Sequence, residues 1–253
     1  RSNSLLTEEV ENKRDSNLCN KCHACGGQAT GSLMHRLNKC TAMMPKITAR
    51  HNSIARIIND GLREMLHLNC PPINENSKVF LQDMAPLPER SRNMKPDIWF
   101  ITEDPHSHVR TVNIIEITCP YGMVTDSPQG RKSSLVIRED EKVKKYQKLV
   151  EDIKDSWNLN ASLYVIVVSS LGAITKNTEI ALKKLFGSNK RSRLIAKRCV
   201  VAAIRGSWAI FYGKEVSSPV HVDDQVDPLI ANDNSSSSHL TDEEDGDILN
   251  TNN

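Results

Sequence analysis

No stretch of the 253-residue chain reaches the ~20 consecutive apolar residues that span a bilayer. The nearest, Cys199 to Phe211, is short and is interrupted by Arg205-Gly206, so no membrane-spanning helix is expected. An amino-terminal signal peptide is not expected either, because Leu5-Leu6 runs straight into Thr7-Glu8-Glu9. Aromatic residues are scarce at 4%, which argues against a reader of single strands built on an aromatic platform. There is no internal repeat. Basic residues are missing from one region altogether. From Glu215 to Asn253 there are ten acidic residues and no Lys or Arg. The formal net charge of +2 therefore hides a division: the first 214 residues hold 33 basic and 21 acidic groups, a net of +12. A body that basic points to a polyanionic partner, most simply nucleic acid. The chain opens on Arg rather than Met, as a piece of a longer protein would.

Residues 1–18 are polar and aperiodic and read as a linker; residues 215–253, Ser-rich and acidic, cannot support a core and read as a disordered tail. Such a tail can serve as a solubilising end, or can compete with a polyanion for the basic body. Between them, residues 19–46 form a Cys/His-rich segment and residues 47–214 a larger α/β domain. Ile47 to Leu68 carries apolar residues at helical spacing, ended by Cys70-Pro71-Pro72. Val79–Leu81, Asp97–Thr102 and Thr111–Thr118 read as strands, the last two joined as a hairpin through a turn at 103–108. Residues 120–134, with Gly, Pro, Ser and Asp, read as a mobile loop. Leu135 to Ile153 is helical, Ser162 to Val168 is apolar on both faces and reads as a central strand, and two helices follow at 174–186 and 191–211. The helical crossover before Ser162 predicts a parallel pairing, hence a mixed sheet flanked by helices.

The seven cysteines are odd in number, and four fall within residues 19–40, which fits a metal site in a reducing compartment better than a disulfide framework. Cys22-x2-Cys25 forms a knuckle followed by Gly26-Gly27, which allows backbone amides to turn toward thiolate sulfur. His35 and Cys40, just over one helical turn apart, would lie on one helix face. Cys22, Cys25, His35 and Cys40 are the expected Zn2+ ligands, with Cys19 and His23 as alternates. Cys70, Cys119 and Cys199 sit in or beside apolar runs and read as small core hydrophobes.

Glu116 lies inside an apolar strand, flanked by Ile114, Ile115 and Ile117, where an unpaired charge is costly. Were the two strands hairpin partners, Asp97 would meet Glu116 at one end of the pair. Two carboxylates there repel unless a divalent cation such as Mg2+ lies between them; the residue types alone also allow a simple salt bridge. On the following helix, Lys142 and Lys145 are three apart on one face, where an amine could orient a water molecule. Arg50-His51-Asn52 opens a helix in this reading, and either caps it or, through Arg50 and His51, contacts DNA phosphate at the helix amino terminus. Lys183-Lys184 and the basic residues from Lys190 to Arg198 form a further stripe that suits phosphates, an import signal or a solvated face.

In order, Cys22-x2-Cys25, His35-x4-Cys40, Arg50-His51-Asn52, Lys95-Pro96-Asp97, Glu116, Lys142-x2-Lys145-Tyr146, Ser169-Ser170-Leu171-Gly172-Ala173 and Arg205-Gly206-Ser207 are present. The chain resembles, over about Cys19 to Tyr212, the carboxy-terminal part of site-specific non-long-terminal-repeat retrotransposon polyproteins that carry a restriction-like endonuclease. The resemblance implies a restriction-endonuclease-like α/β fold preceded by a zinc knuckle. By matching position, Asp97 and Glu116 would hold Mg2+ (or Mn2+) and Lys142 would be the catalytic amine, with Lys145 the second choice. It further implies a nuclear location, target DNA and element RNA as partners, and a nick that primes reverse transcription. Two departures stand out: Glu116 occupies a position where the group often carries Asp, and Thr118 stands where restriction enzymes at large carry Lys. A polymerase centre is not expected, since no aromatic-x-Asp-Asp motif occurs. The competing expectations are a non-catalytic zinc-containing module that binds nucleic acid, and a protein-interaction domain.

Overall fold

The computed structural model describes residues 21–66, 88–104, 106–127 and 130–212. The linker reading of 1–18, the alternate ligand Cys19, the helix end at Leu68 to Pro72, the strand at Val79–Leu81 and the acidic tail lie outside the described residues.

The described residues belong to one compact unit. Helices α1 (Leu33–Asn38) and α2 (Met44–Leu66) are followed by the short α3 (Glu89–Arg92) and strands β1 (Ile98–Glu103) and β2 (Arg110–Thr118). A second hairpin, β3 (Val124–Ser127) and β4 (Gly130–Ser133), leads into α4 (Ser134–Trp157), β5 (Asn160–Val167), α5 (Lys176–Phe186) and α6 (Asn189–Tyr212). The sheet order is β1-β2-β5, with β1 antiparallel and β5 parallel to β2. The fold is thus mixed α/β, with a three-stranded mixed sheet between helices. The parallel pairing follows from the α4 crossover, as the sequence order requires. Among the described residues no helix is long and apolar enough to cross a membrane.

The period-2 alternation of β2 decides what faces what. Val112 and Ile114 pack with Tyr146, Leu149, Val150 and Ile153 of α4. Ile115 and Ile117 pack on the other side with Ile54 and Ile58 of α2, Leu182 and Phe186 of α5 and Ile195 of α6. By the same alternation Glu116 belongs to the α4 side. Burying aliphatic side chains of this size contributes roughly 1.5–3 kcal/mol each relative to exposure, so both layers hold β2 in register.

Two expectations are corrected. β5 is an edge strand of the described sheet, not the central one; β2 is central. β5 is nonetheless apolar on both faces because helices cover both. Its outward backbone is met by Thr178 of α5, whose hydroxyl accepts from the Val167 N–H at 2.8 Å and donates to the Val167 carbonyl at 3.3 Å. Residues 120–134 are not simply a loop. They contain the antiparallel β3–β4 pair, with Asp126 opposite Arg131.

Candidate metal centre and carboxylate cluster

Ser32 starts α1, its hydroxyl accepting the His35 N–H at 3.2 Å. The helix ends at Asn38, so Cys40 is not on a face shared with His35. Instead the Lys39 and Cys40 N–H groups both donate to the His35 carbonyl at 2.8 Å, a tight turn that carries the Cys40 thiol back to the site. On the other side, the knuckle closes through Gly27 N–H to the Cys22 carbonyl at 2.8 Å. Gly26 and Gly27 take φ of +67° and +79°, a region that penalises any side chain.

The ligand atoms of Cys22, Cys25, His35 and Cys40 all lie within 4.8 Å of one another. Cys22 Sγ is 3.9 Å from Cys40 Sγ, and Cys25 Sγ is 3.5 Å from His35 Nε2. A disulfide needs sulfurs at ~2.05 Å. Tetrahedral zinc with ordinary bond lengths would separate two sulfurs by about 3.8 Å and a sulfur from a nitrogen by about 3.6 Å. The four residues therefore fit a zinc ion through three sulfurs and one nitrogen. Burial raises the Cys22 thiol pKa, opposed by the Cys25 and Ala24 amides. At Cys25 burial pulls the same way but is outweighed by Cys22 and by the Gln28 and Ala29 amides, so that its pKa is lowered. Amides turned toward sulfur are what the Gly-Gly step was expected to permit. The alternate ligand His23 is exposed and outside the cluster. Cys199 is fully buried, its thiol pushed up to about 12 by desolvation, and is a core residue as expected.

A second cluster forms where β1, β2, α2 and α4 meet. Ile98 pairs with Ile115, so Asp97, just ahead of β1, comes level with Glu116. Asp97 Oδ2 accepts the Ile117 N–H at 2.7 Å. Glu116 is 3% exposed; its Oε1 accepts from Lys142 Nζ, while its buried Oε2 has no hydrogen-bond partner. Desolvation raises the Glu116 pKa, the charge of Asp97 raises it further, and Lys142 opposes both. Lys142 and Tyr146 are four apart on α4 and so share a face. The Tyr146 hydroxyl donates to the Lys95 carbonyl at 2.9 Å, and its pKa is driven up by burial and then by Glu116. Lys145 is exposed, its amine 4.6 Å from the Tyr146 ring centroid and 3.3 Å from its hydroxyl. The structure thus brings Asp97, Glu116 and Lys142 together and leaves Lys145 one step out.

Arg50 and His51 are placed differently from expectation. The helix begins at Met44, so Arg50-His51-Asn52 does not open it. Arg50 is 2% exposed and donates to Ser207 Oγ at 2.8 Å and to the Leu37 carbonyl at 3.0 Å. A guanidinium held there cannot meet a DNA phosphate; it ties α2 to α1 and α6. His51 turns toward the carboxylates. Its Nε2 lies 3.4 Å from Asp97 Oδ2 and 3.2 Å from the Ile117 carbonyl, and Nδ1 lies 3.3 Å from Asn52 Oδ1. Burial pulls its pKa down, but Asp97, Asn52 and the Ile117 carbonyl outweigh it and lift the imidazole to about 9. A cationic His51 with three acceptors around it is a feature the linear sequence did not signal, because α2 meets Asp97 only through tertiary packing.

Searches against protein-family models and against curated proteins found no match to this chain.

Proposed function

We propose that this chain is a metal-dependent DNA endonuclease domain with a restriction-like core, the piece of a retrotransposon polyprotein that nicks target DNA. The observation that carries the reading is the meeting of Asp97, Glu116 and Lys142, with Glu116 Oε2 buried and unpartnered. Holding two carboxylates beside each other is unfavourable, and a hard cation with oxygen ligands relieves it. Asp97 and Glu116 are the residues that would hold Mg2+ or Mn2+, and the Ile117 carbonyl lies at the same end of β2. The bound ion would supply charge neutralisation and an acidified water.

The remaining work belongs to the chain itself. Lys142 approaches through the α4 face and orients the attacking water. His51 fixes the angle of Asp97 through Oδ2. The bond formed joins water oxygen to phosphorus and the bond broken releases a 3′-hydroxyl, leaving a 5′-phosphate. The basic body, at +12 over residues 1–214, provides the attraction for the duplex. In this reading Zn2+ is structural, and the nucleus is the compartment that holds the substrate.

A second reading is favoured by one feature: each of the three groups already has a protein partner, Asp97 with Ile117 and His51, Glu116 with Lys142. A cluster whose members already pair with one another suits a nuclease fold retained as a nucleic-acid-binding module without catalysis. Nicking of supercoiled plasmid separates the two. With Mg2+ or Mn2+ the wild-type chain relaxes the plasmid, and Asp97→Asn, which keeps the acceptor for the Ile117 amide, loses about a hundredfold or more in rate with DNA affinity within about twofold. A wild-type chain that binds DNA and never nicks it with either metal leaves the second reading standing.

A further inference from the structure

The scarcity of aromatic residues conceals where they are. Of the eleven in the chain, three fall within five residues at the end of α6: Trp208, Phe211 and Tyr212. Trp208 is 56% exposed and Tyr212 46% exposed, and their ring centroids are 4.1 Å apart with planes inclined by 39°. A tryptophan more than half in water, paired with a tyrosine, serves no packing purpose in the core. Phe211 by contrast is half-buried, with the Arg36 guanidinium 5.2 Å from its centroid, which anchors this end of α6 to the zinc-module helix α1.

The charge on α6 is equally one-sided. Its 24 residues contain six Lys or Arg and no Asp or Glu. Lys190, Arg193, Lys197, Arg205, Trp208 and Tyr212 are all exposed. At 3.6 residues per turn they fall within about a third of the helix circumference, a line about 33 Å long from Lys190 to Tyr212. The opposite face of α6, with Ile195, Cys199 and Ala203, is buried in the core. The outward stripe is therefore fixed in place, with four cations interspersed with the exposed Leu194 and Ile204, and an aromatic pair at one end.

We propose that this stripe binds single-stranded nucleic acid, its phosphates following the basic residues and an unstacked base lying on Trp208 and Tyr212. Charge complementarity selects a polyanion over an apolar peptide. The rings select an unpaired strand over a duplex, because bases within a duplex offer no free face. A lipid surface is a poorer fit: the apolar side of α6 is already buried, so the helix cannot roll its hydrophobic face into a bilayer. The stripe does not include the carboxylate cluster, so binding to it is measured in magnesium-free buffer.

The test is fluorescence anisotropy of labelled oligonucleotides with the full chain and with Trp208→Ala, Trp208→Phe and Lys197→Ala. The probes are a mixed-sequence DNA strand, the same sequence as RNA, the same strand with abasic residues, a duplex, and phosphatidylserine vesicles as the lipid arm. Trp208→Ala is expected to weaken binding of the normal strand about tenfold, while Trp208→Phe stays within about twofold of wild type. On the abasic strand and the duplex Trp208→Ala should have no effect beyond about twofold, and Lys197→Ala should weaken every nucleic acid alike. The DNA and RNA arms say which strand is preferred; tight binding to either supports the site. Equal losses on normal and abasic strands, no loss for Trp208→Ala, or protection of Trp208 by vesicles but not by oligonucleotides would each overturn it.

Discussion

Replacing Lys142 by Met tests the carboxylate cluster without any assumption about catalysis. The Glu116 side chain is 4% exposed, and Lys142, itself 29% exposed, is its one ionic partner among the described residues. Removing one member of a buried pair costs about 3–5 kcal/mol, because the other charge is stranded. Partial exposure of Lys142 discounts this to about 2–3 kcal/mol at pH 8. For a unit of this size that corresponds to a fall in Tm of roughly 5–10 °C. The pH dependence has a fixed sign. Burial and Asp97 already hold the Glu116 pKa above its ordinary value, and losing Lys142 raises it further. A carboxyl whose folded pKa exceeds its unfolded one takes up a proton on folding, so stability falls as pH climbs from the unfolded value through the folded one. The Lys142→Met penalty should therefore be largest at pH 8 and shrink as the pH falls and a proton on Glu116 removes the stranded charge. Adding Glu116→Gln should recover stability to within about 1 kcal/mol of wild type at pH 8. Thermal unfolding followed by circular dichroism at both pH values, in magnesium-free buffer, measures all of this. A penalty below about 0.5 kcal/mol at both pH values, or a double variant no better than the single one, would mean that the pair behaves as an ordinary surface bridge and that the cluster is not where it is drawn.

Two further outcomes follow from other parts of the molecule. The purified chain should carry one zinc per molecule by elemental analysis, and Cys40→Ser or Cys25→Ser should lose it, while Cys199→Ala, which removes a core thiol far from sulfur ligands, should keep it. Gly206→Ala should destabilise by about 1–3 kcal/mol in denaturant titration, because the new methyl would sit 2.5 Å from Arg50 Cγ and 2.7 Å from its Cβ, atoms that cannot swing aside. Gly61→Ala should cost less, since its nearest neighbour is the terminal Ile195 Cδ1 at 2.8 Å; equal costs would refute the tight α2–α6 crossing at Arg50.

The parts of the fold visible in the sequence were those written in local periodicity. The β1–β2 hairpin, the α4 crossover and the parallel β5 follow from alternation, turn residues and helix length alone. The Cys22, Cys25, His35 and Cys40 cluster was equally legible, because a cysteine pair on a knuckle carries its own geometry. What escaped was set by packing between distant segments. An apolar strand looks the same whether sheet neighbours or helices cover it, so the edge position of β5 could not be read from Ser162 to Val168. Arg50 was read as part of a cap or as a phosphate contact because it was placed at a helix start; its partners are Leu37 and Ser207, the latter 157 residues away. His51 was legible as a polar residue on a helix and not as a neighbour of Asp97. A low aromatic total also carries no information on placement: three of the rings are gathered at the end of α6.

Arg50 also settles how the zinc module relates to the rest. Its two hydrogen bonds join the end of α1 to α6, and Ser207 passes the connection on, its hydroxyl donating to the Ser170 carbonyl just past β5 at 2.6 Å. Independently, Asn38 Nδ2 donates to the Cys119 carbonyl at 2.7 Å, immediately after β2. Cys119 is three residues beyond Glu116, and the Ile117 between them is bonded to both Asp97 and His51. The four-residue cradle at Cys22, Cys25, His35 and Cys40 is therefore not a separate bead on a linker. It adjoins α1, α1 is bonded to the residue just past β2, and β2 carries Glu116 and holds Asp97 through the Ile117 N–H. The four residues are thus joined to the acidic cluster through the Asn38–Cys119 bond and the end of β2. The same end of α1 carries Arg36 against Phe211, so the aromatic end of α6 is braced by the module as well.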